Sequence, residues 1–383
     1  MLIVSMWACI IPSAAAYVEY FGGTKGLSGL VIGIYAIAGG VNTYPMQLFL
    51  DQFGIKRCML FQLGLVSTGA LVYIFSAAWG TIATLFIGRA ISGSGMNNLA
   101  IYYVSRAAGK NVRSKWMVHI SASTAMGYGI GPAVGAIMVA AFKTDETPDG
   151  IIILDNKVWN ELTAPLWGMI GLLACQWVVA LLFFQEPPLE GAEVAARKNK
   201  KEGSIVAPGD MSPTTRAKET FTKSQLLGIA SNIAVFFCIP LLLGCWEVHT
   251  VNMVQETWNY SIAIASVYIA SVSLCLVPIS ILMSIYLVPH LSDRKSIFIC
   301  FSAALVACAG FYDYFVNRRP DVDSLAATRT MDAAVWTSAG LIFLTAINIS
   351  RGSALSLLTK QVPTKHKILI NTINLTLFMI GRG

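Results

Sequence analysis

Five side chains that could handle protons or anions lie within apolar runs of this 383-residue sequence. They are Glu247 and His249, two residues apart, and the arginines Arg89, Arg351 and Arg382. Ionisable groups in apolar membrane segments are rare and usually functional. A carboxyl group beside a histidine, which titrates near neutral pH, predicts a proton-coupling pair. Three arginines with few buried acids would make a central cavity positive, which predicts an anionic substrate or anion conduction.

Each of these side chains also has a plainer interpretation. Arg89 could form a structural ion pair or clamp backbone carbonyls instead of binding a substrate. Glu247 and His249 lie near the outer end of their apolar run and could simply face water, as could Glu19. Arg351 could pair with a nearby acid or snorkel to the inner end of its run. The sequence alone leaves these alternatives open.

The composition places the chain in a membrane. It is 55% hydrophobic and only 12% charged, whereas a soluble domain has roughly 25% charged residues. A soluble enzyme, a nucleic-acid-binding protein and a disordered chain are therefore excluded. The net charge of +7 is scattered over short loops and is not a nucleic-acid footprint. The sequence has no CxxC pair, phosphate loop or nucleophile motif, so we expect no enzyme, metal or cofactor.

Runs without charged residues, each long enough for a helix of roughly 20 residues, predict an all-α integral membrane protein. We predict eleven spans, with a turn near Ala78-Trp79-Gly80 between the third and fourth. The predicted spans are 1–20, 28–50, 58–78, 80–105, 116–142, 163–185, 225–249, 262–287, 296–315, 334–358 and 367–383. With the N-terminus in the cytosol, the inner loops hold 18 of the 27 lysines and arginines and the outer loops hold 6. This asymmetry predicts a cytosolic N-terminus.

The spans divide into two sets. Residues 186–224 form a long, basic inner loop, which predicts a flexible cytosolic linker. Six spans precede it in 1–185 and five follow it in 225–383, which indicates two six-helix bundles related by an internal repeat. We expect 11 of 12 helices, because the sequence stops within an apolar run. No basic segment precedes the first span, so a cleaved signal peptide is not expected.

Two inner loops at equivalent places in the halves share one pattern of residue types. Each has an acid followed by a tight turn and two bases. The first loop supplies Asp51, Gly54, Lys56 and Arg57, and the second supplies Asp293, Arg294 and Lys295. Such an acid could face a helix N-terminus or a neighbouring arginine at the cytosolic boundary.

The fourth and fifth spans carry glycines at regular spacing. In the fourth span Arg89 is followed by Gly93 and Gly95, and the small residues allow a neighbouring helix to approach closely. In the fifth span the pattern predicts a smooth packing strip and a bend at a proline. That strip consists of Gly127, Gly131, Pro132 and Gly135.

These three patterns together resemble the signatures of the major facilitator superfamily. The loop signature G-x-x-x-D-x-x-G-x-[RK]-[RK] is met from Asp51 to Arg57, with Gln47 in place of its first glycine. The signature R-x-x-x-G-x-G is met from Arg89, and G-x-x-x-G-P-x-x-G-[GA], typical of antiporters, from Gly127. The resemblance implies two bundles around a central cavity, and secondary transport of a small solute by alternating access. Asp51, Lys56 and Arg57 would hold the inner gate, and Gly131-Pro132 would bend the fifth span.

A finer set of residues is similar to an endolysosomal and vacuolar branch of that superfamily, which includes a lysosomal facilitator and SPX-domain phosphate transporters. The similarity lies in Trp246–Thr250, Thr257–Tyr260, Arg351 and Gly381–Gly383. It implies an acid late in the seventh span, arginines in the tenth and eleventh spans, and a lysosomal or vacuolar membrane. Asn259 opens a glycosylation sequon in an outer loop.

Three functions remain open at this stage. A proton-coupled carrier, a channel-like anion pathway and a non-transporting scaffold with the same fold would all fit the sequence. For each we expect a monomer in lipid, with a small molecule or ion as its partner and no nucleic acid.

Overall fold

A computed structural model shows a helical chain. It describes residues 1–96, 99–100, 103–104, 110–142, 158–184, 186, 223–258, 260–286, 290–317, 326–362 and 367–382. Every regular element in these ranges is a helix. The side chains of Asp51 and Arg382 lie outside this description.

In the described part of the first half, seven helices can be bounded. They are α1 (Leu2–Ala8), α2 (Ala14–Tyr20), α3 (Lys25–Ile74), α4 (Ser76–Trp79), α5 (Ile82–Ser94), α6 (Lys110–Phe142) and α7 (Ala164–Phe183). The described residues of the second half form five α-helices and a π-helical turn. They are α8 (Lys223–Asn252), the π-helix Met253–Thr257, α9 (Ile262–Tyr286), α10 (Asp293–Asn317), α11 (Ala326–Gln361) and α12 (Lys367–Arg382).

Most of the described residues in the predicted spans are helical. By length and composition, seven helical segments of the described residues can cross a membrane. They are Gly26–Leu50, Gln52–Ile74, Ala122–Ala141, Ala164–Phe183, Gln225–Gln255, Ile262–Met283 and Asp293–Phe311. Their outer faces are apolar, as Phe183, Phe298 and Val306 are each more than 70% exposed. Such faces suit a lipid solvent and would be a liability in water.

Two predicted turns are confirmed and one span differs from its prediction. Gly80 ends α4 with φ +68°, and Gly54 reverses the chain inside α3 with φ +82°. Both angles lie in the left-handed region, which glycine adopts without steric cost. The first span is not one helix, because it breaks between α1 and α2. Pro12 lies in the break, and its ring removes a backbone donor that an unbroken helix would need.

The helices pack within each half and also across the halves. In the first half α3 packs on α5 and α1 on α6, and in the second α10 packs on α11 and α8 on α12. Across the halves, α6 packs on α9 and on α11, and α3 packs on α12. An apolar cluster, here called the shared core, includes Trp7 and Tyr35 of the first half with Phe343 and Phe378 of the second.

Candidate functional site

A small cavity lies between the two halves. Side chains from α1, α6, α8, α9 and α11 line this central cavity. About 20 Å³ of it is open to a water-sized sphere, which is enough for one or two water molecules. Most of the described lining is apolar, and its polar side chains are few. They are Tyr128, Glu247, Ser273 and Asn348, together with the indole of Trp246.

Glu247 is the acidic side chain of the described lining. It lies near the C-terminal end of α8 and is only 5% exposed. Its neighbour Trp246 also lines the cavity and is 6% exposed. On the opposite side, Tyr128 of α6 packs edge-on against Trp7 of α1, with ring centroids 5.8 Å apart. The cavity therefore combines one buried carboxyl group with aromatic walls.

His249 lies on another face of α8 from Glu247. Two residues of an α-helix differ by about 200° around its axis, and His249 is exposed and does not line the cavity. Its ring instead lies 5.7 Å from that of Trp336. The two residues predicted as a proton-coupling pair thus have different environments, and the cavity receives only Glu247.

Arg89 lies inside the first half. It is 2% exposed, and its guanidinium stacks over the ring of Tyr35, 4.3 Å from the ring centroid. Its Nε and Nη2 atoms have no hydrogen-bond partner among the described residues. Arg89 joins α5 to α3 and is not among the described lining residues of the cavity.

Arg351 is also buried, at 8% exposure, and stacks over Phe378 with 4.4 Å between the guanidinium carbon and the ring centroid. It follows Asn348 by three residues, so it lies about 4.5 Å further along α11 toward the predicted cytosolic side. Among the described residues, Arg351 does not line the central cavity. The side chain of Arg382 lies outside the described residues, so the predicted cluster of three arginines stays a prediction.

The signature glycines mark places where helices touch. A Cβ on Gly93 would clash with the carbonyl of Tyr35, and one on Gly131 would clash with the carbonyl of Ser5. A Cβ on Gly127 would also be too close to its neighbour, whereas one on Gly135 would make ordinary van der Waals contacts. Gly127 meets the carbonyl of Met1, and Gly135 meets the carbonyl of Cys9 and the ring of Pro165. The predicted packing strip on α6 thus contacts α1, with Pro132 inside the helix.

The inner loop of the first half contacts an acid from another part of the chain that the sequence patterns did not single out. Glu186, just after α7, accepts a hydrogen bond at Oε1 from the backbone N–H of Lys56 (3.1 Å). Gly54 leaves room for this carboxylate, since a Cβ there would lie 2.5 Å from Oε1. A carboxylate at the start of the Lys56 helical segment is stabilised by the N-terminal end of the helix dipole. The signal in the sequence that could have singled out Glu186 is its position directly after an apolar run.

The loop of the second half is simpler. Asp293 is in the first turn of α10, and Ser292 Oγ accepts a hydrogen bond from the N–H of Lys295 (3.4 Å). Arg294, like Arg57 in the first loop, is exposed. Asn259 of the sequon lies outside the described residues.

A second unpredicted contact joins the two halves. Gln255, in the π-helical turn after α8, donates a hydrogen bond from Nε2 to the carbonyl of Pro12 (2.8 Å). Both residues lie where a helix departs from regular geometry.

Within the described part of the chain, no group of three His, Cys, Asp or Glu residues could hold a metal ion.

The fold and its signatures define an integral, multi-pass membrane protein. A sequence profile of the Major Facilitator Superfamily matches residues 1–383. The chain therefore belongs to the major facilitator superfamily, as its signatures predicted.

Curated relatives with similar sequences include proteins of fungi, plants and a bacterium. The uncharacterized MFS-type transporter C613.02 of Schizosaccharomyces pombe is 25% identical over 380 residues, which cover 95% of this chain and 68% of that protein. The chain spans 55% to 68% of the length of the four fission-yeast relatives it matches. The SPX domain-containing membrane protein At4g22990 of Arabidopsis thaliana is 24% identical over 202 residues, 51% of this chain and 27% of that protein.

Solved structures share the fold at low sequence identity. The xylose transporter XylE from E. coli, in a partially occluded inward-open conformation, matches with a TM-score of 0.67 and 11% identity. The match covers 100% of this chain and 88% of that one. The human organic anion transporter MFSD10 matches with a TM-score of 0.61 and 16% identity, over the same shares of the two chains.

Proposed function

We propose that this chain is the membrane domain of a secondary transporter that moves a small solute by alternating access, with Glu247 as its proton-coupling group. The observation that carries the proposal is the position of Glu247, buried in the central cavity between the two halves. In alternating access the halves rock about a midplane site. A carboxyl group at that site would face each aqueous side in turn and could carry one proton.

The contacts around the cavity suit such a motion. The Gln255–Pro12 hydrogen bond closes one end of the interface in this conformation. Because it is a single neutral bond, separating the halves there requires only a modest free energy. The Gly54–Glu186 contact lies at the other end, within the first half, and would keep the inner loop in place while the halves move.

The antiporter-type signature on α6 favours exchange of solute against protons. Membership of the superfamily and the relatives named as transporters support transport in general. The residues that resemble the endolysosomal and vacuolar branch favour a vacuolar or lysosomal membrane, and the distribution of lysines and arginines favours a cytosolic N-terminus. We expect the protein to act as a monomer without enzymatic chemistry.

An anion pathway is the second candidate function. Arg351 favours it, since this buried guanidinium lies about one helical turn from the cavity-lining Asn348. An anion that reached the cavity from the inner side would pass close to Arg351, which could bind it.

The test is flux in proteoliposomes that contain the full-length protein, with and without an imposed pH gradient. The solutes are chloride, phosphate and a small panel of organic anions and cations. We expect saturable uptake that needs the gradient, is abolished by Glu247→Gln and is retained by Glu161→Gln, which changes an exposed carboxyl group. An anion current that ignores the gradient and disappears in Arg351→Met would contradict the proposal in favour of a channel. Absence of flux for every solute would indicate a scaffold.

A further inference from the structure

On the basis of the proposed function, we propose that the central cavity selects a small organic cation, an amine or quaternary ammonium group, in exchange with a proton on Glu247. The first argument is charge. Glu247 is the acidic side chain of the described lining, whereas Arg89 and Arg351 both lie outside it. In a poorly hydrated cavity, one carboxylate strongly favours a cation over an anion of the same shape.

The second argument is the chemistry of the walls. Trp246 lies next to Glu247 in the lining, and Tyr128 faces the cavity from the other half. Aromatic faces attract ammonium groups through their ring quadrupoles, most strongly where water is excluded. The remaining surface is largely apolar, with Ile269, Leu276 and Leu344 suited to contact methyl or methylene groups.

The third argument concerns the competing charged groups. Arg351 is the nearest arginine along α11, and it is stacked over Phe378 rather than directed to the lining. His249 lies on another face of α8, and Arg89 is stacked over Tyr35 in the first half. Among the described residues that line the cavity, Tyr128 is the other titratable group besides Glu247. A proton and a cation would therefore compete for one carboxyl group, which is the requirement for exchange.

The size of the cavity limits the ligand. With about 20 Å³ open to a water-sized sphere, this conformation has room only for water. A cation would enter when the halves separate on one side. Small ammonium ions would require the least rearrangement of the aromatic walls.

Three probes of nearly the same shape isolate the effect of charge. Choline carries a trimethylammonium group, 3,3-dimethylbutan-1-ol replaces it with a neutral tert-butyl group, and 3,3-dimethylbutanoate carries a negative charge. Binding to the purified full-length protein is measured as thermal stabilisation over a range of ligand concentrations. We expect choline to bind at least about tenfold more tightly than either analogue, and more weakly as the pH is lowered.

Variants separate the site from the transport cycle. Glu247→Gln and Trp246→Leu should each weaken choline binding by about tenfold, while Glu161→Gln, which changes an exposed carboxyl group, should leave it unchanged. Binding of 3,3-dimethylbutanoate that is tighter than that of choline, or that is lost in Arg351→Met, would overturn the proposal. Equal binding of choline and the neutral alcohol would overturn it as well. The comparison of the three probes on the unmodified protein remains decisive if a variant fails to fold.

Uptake in proteoliposomes distinguishes failure of this inference from failure of the proposed function. Choline binding that depends on Glu247, without uptake under any gradient, would support the cation site and overturn transport. Gradient-driven uptake of an anion or neutral solute, with no choline binding, would support transport and overturn the cation site.

Discussion

The side chain of Gln255 in the second half donates a hydrogen bond to the backbone carbonyl of Pro12 in the first, 2.8 Å away. This contact joins the break between α1 and α2 to the π-helical turn after α8. The two irregular segments depend on each other, because the break provides an accessible carbonyl and the π-helical turn provides the residue that reaches it.

We expect Gln255→Leu to shift the protein toward a state that is open at this end. Loss of one neutral hydrogen bond, worth about 1 kcal/mol, would change the population about fivefold. The measurement is labelling of a cysteine introduced by Ala8→Cys in the cavity lining, with a membrane-impermeant maleimide added from the outer side. The same protein without Ala8→Cys gives the background from native cysteines. Labelling that rises equally with Gln52→Leu, which changes an exposed glutamine, would show that the effect is not specific.

Stacking between Arg89 and Tyr35 should contribute measurably to stability. A buried cation–π contact is worth about 2 kcal/mol, so a double-mutant cycle of Arg89→Met and Tyr35→Leu should give a coupling free energy of that order. The free energies of unfolding come from titration with a denaturing detergent. Tyr35 also donates a hydrogen bond to the carbonyl of Ile3 (3.2 Å). The cycle with Tyr35→Phe, which keeps the ring and removes this bond, should therefore show little coupling. Equal coupling in both cycles would rule out ring stacking.

Gly131→Ala should destabilise the fold by about 1–3 kcal/mol, because its new Cβ would clash with the backbone carbonyl of Ser5. The matched control is Gly171→Ala on α7, where a Cβ would meet nothing within 4 Å. We expect the control to melt at the same temperature as the unmodified protein, or slightly higher. Similar melting temperatures for the two variants in detergent would contradict close packing of α1 on α6.

Glu186→Gln should loosen the inner loop of the first half. The change removes the carboxylate charge beside the Lys56 N–H but keeps an oxygen that can accept its hydrogen bond. We therefore expect the free energy that holds the loop in place to fall by about 0.5–1 kcal/mol, and by less at high salt. Gly54→Ala should destabilise the loop more. Residue 54 has φ +82°, which strains an alanine, and the new Cβ would also collide with the Glu186 carboxylate. Protease cleavage within 51–57 is the measurement. A rate that is the same for Glu186→Gln and the unmodified protein would show that the capping bond is not formed.

The local features of this fold could be predicted from the sequence. The apolar runs located the helices, and Gly54 and Gly80 marked two reversals that need positive φ. The burial of Arg89 and the packing role of Gly131 also followed from residue types within single spans. All of these depend on forces that act over one or two helical turns.

Contacts between distant parts of the chain were not predictable in the same way. Glu186 contacts the loop at Lys56 across 130 residues, and Gln255 contacts Pro12 across 243. Hydropathy gives the depth of a residue in the membrane but not the rotation of its helix. This is why Glu247 and His249, at similar depth, could not be assigned to the cavity and to another face before the packing was known.

The shared core has a thermal consequence. Side chains from both halves, including Trp7, Tyr35, Phe343 and Phe378, form one apolar cluster. If the halves separate on one side, part of this surface becomes hydrated, and hydration of apolar groups raises the heat capacity. The equilibrium between conformations should then follow a curved rather than a straight van 't Hoff plot, so that warming and cooling away from one temperature both favour the separated, hydrated state.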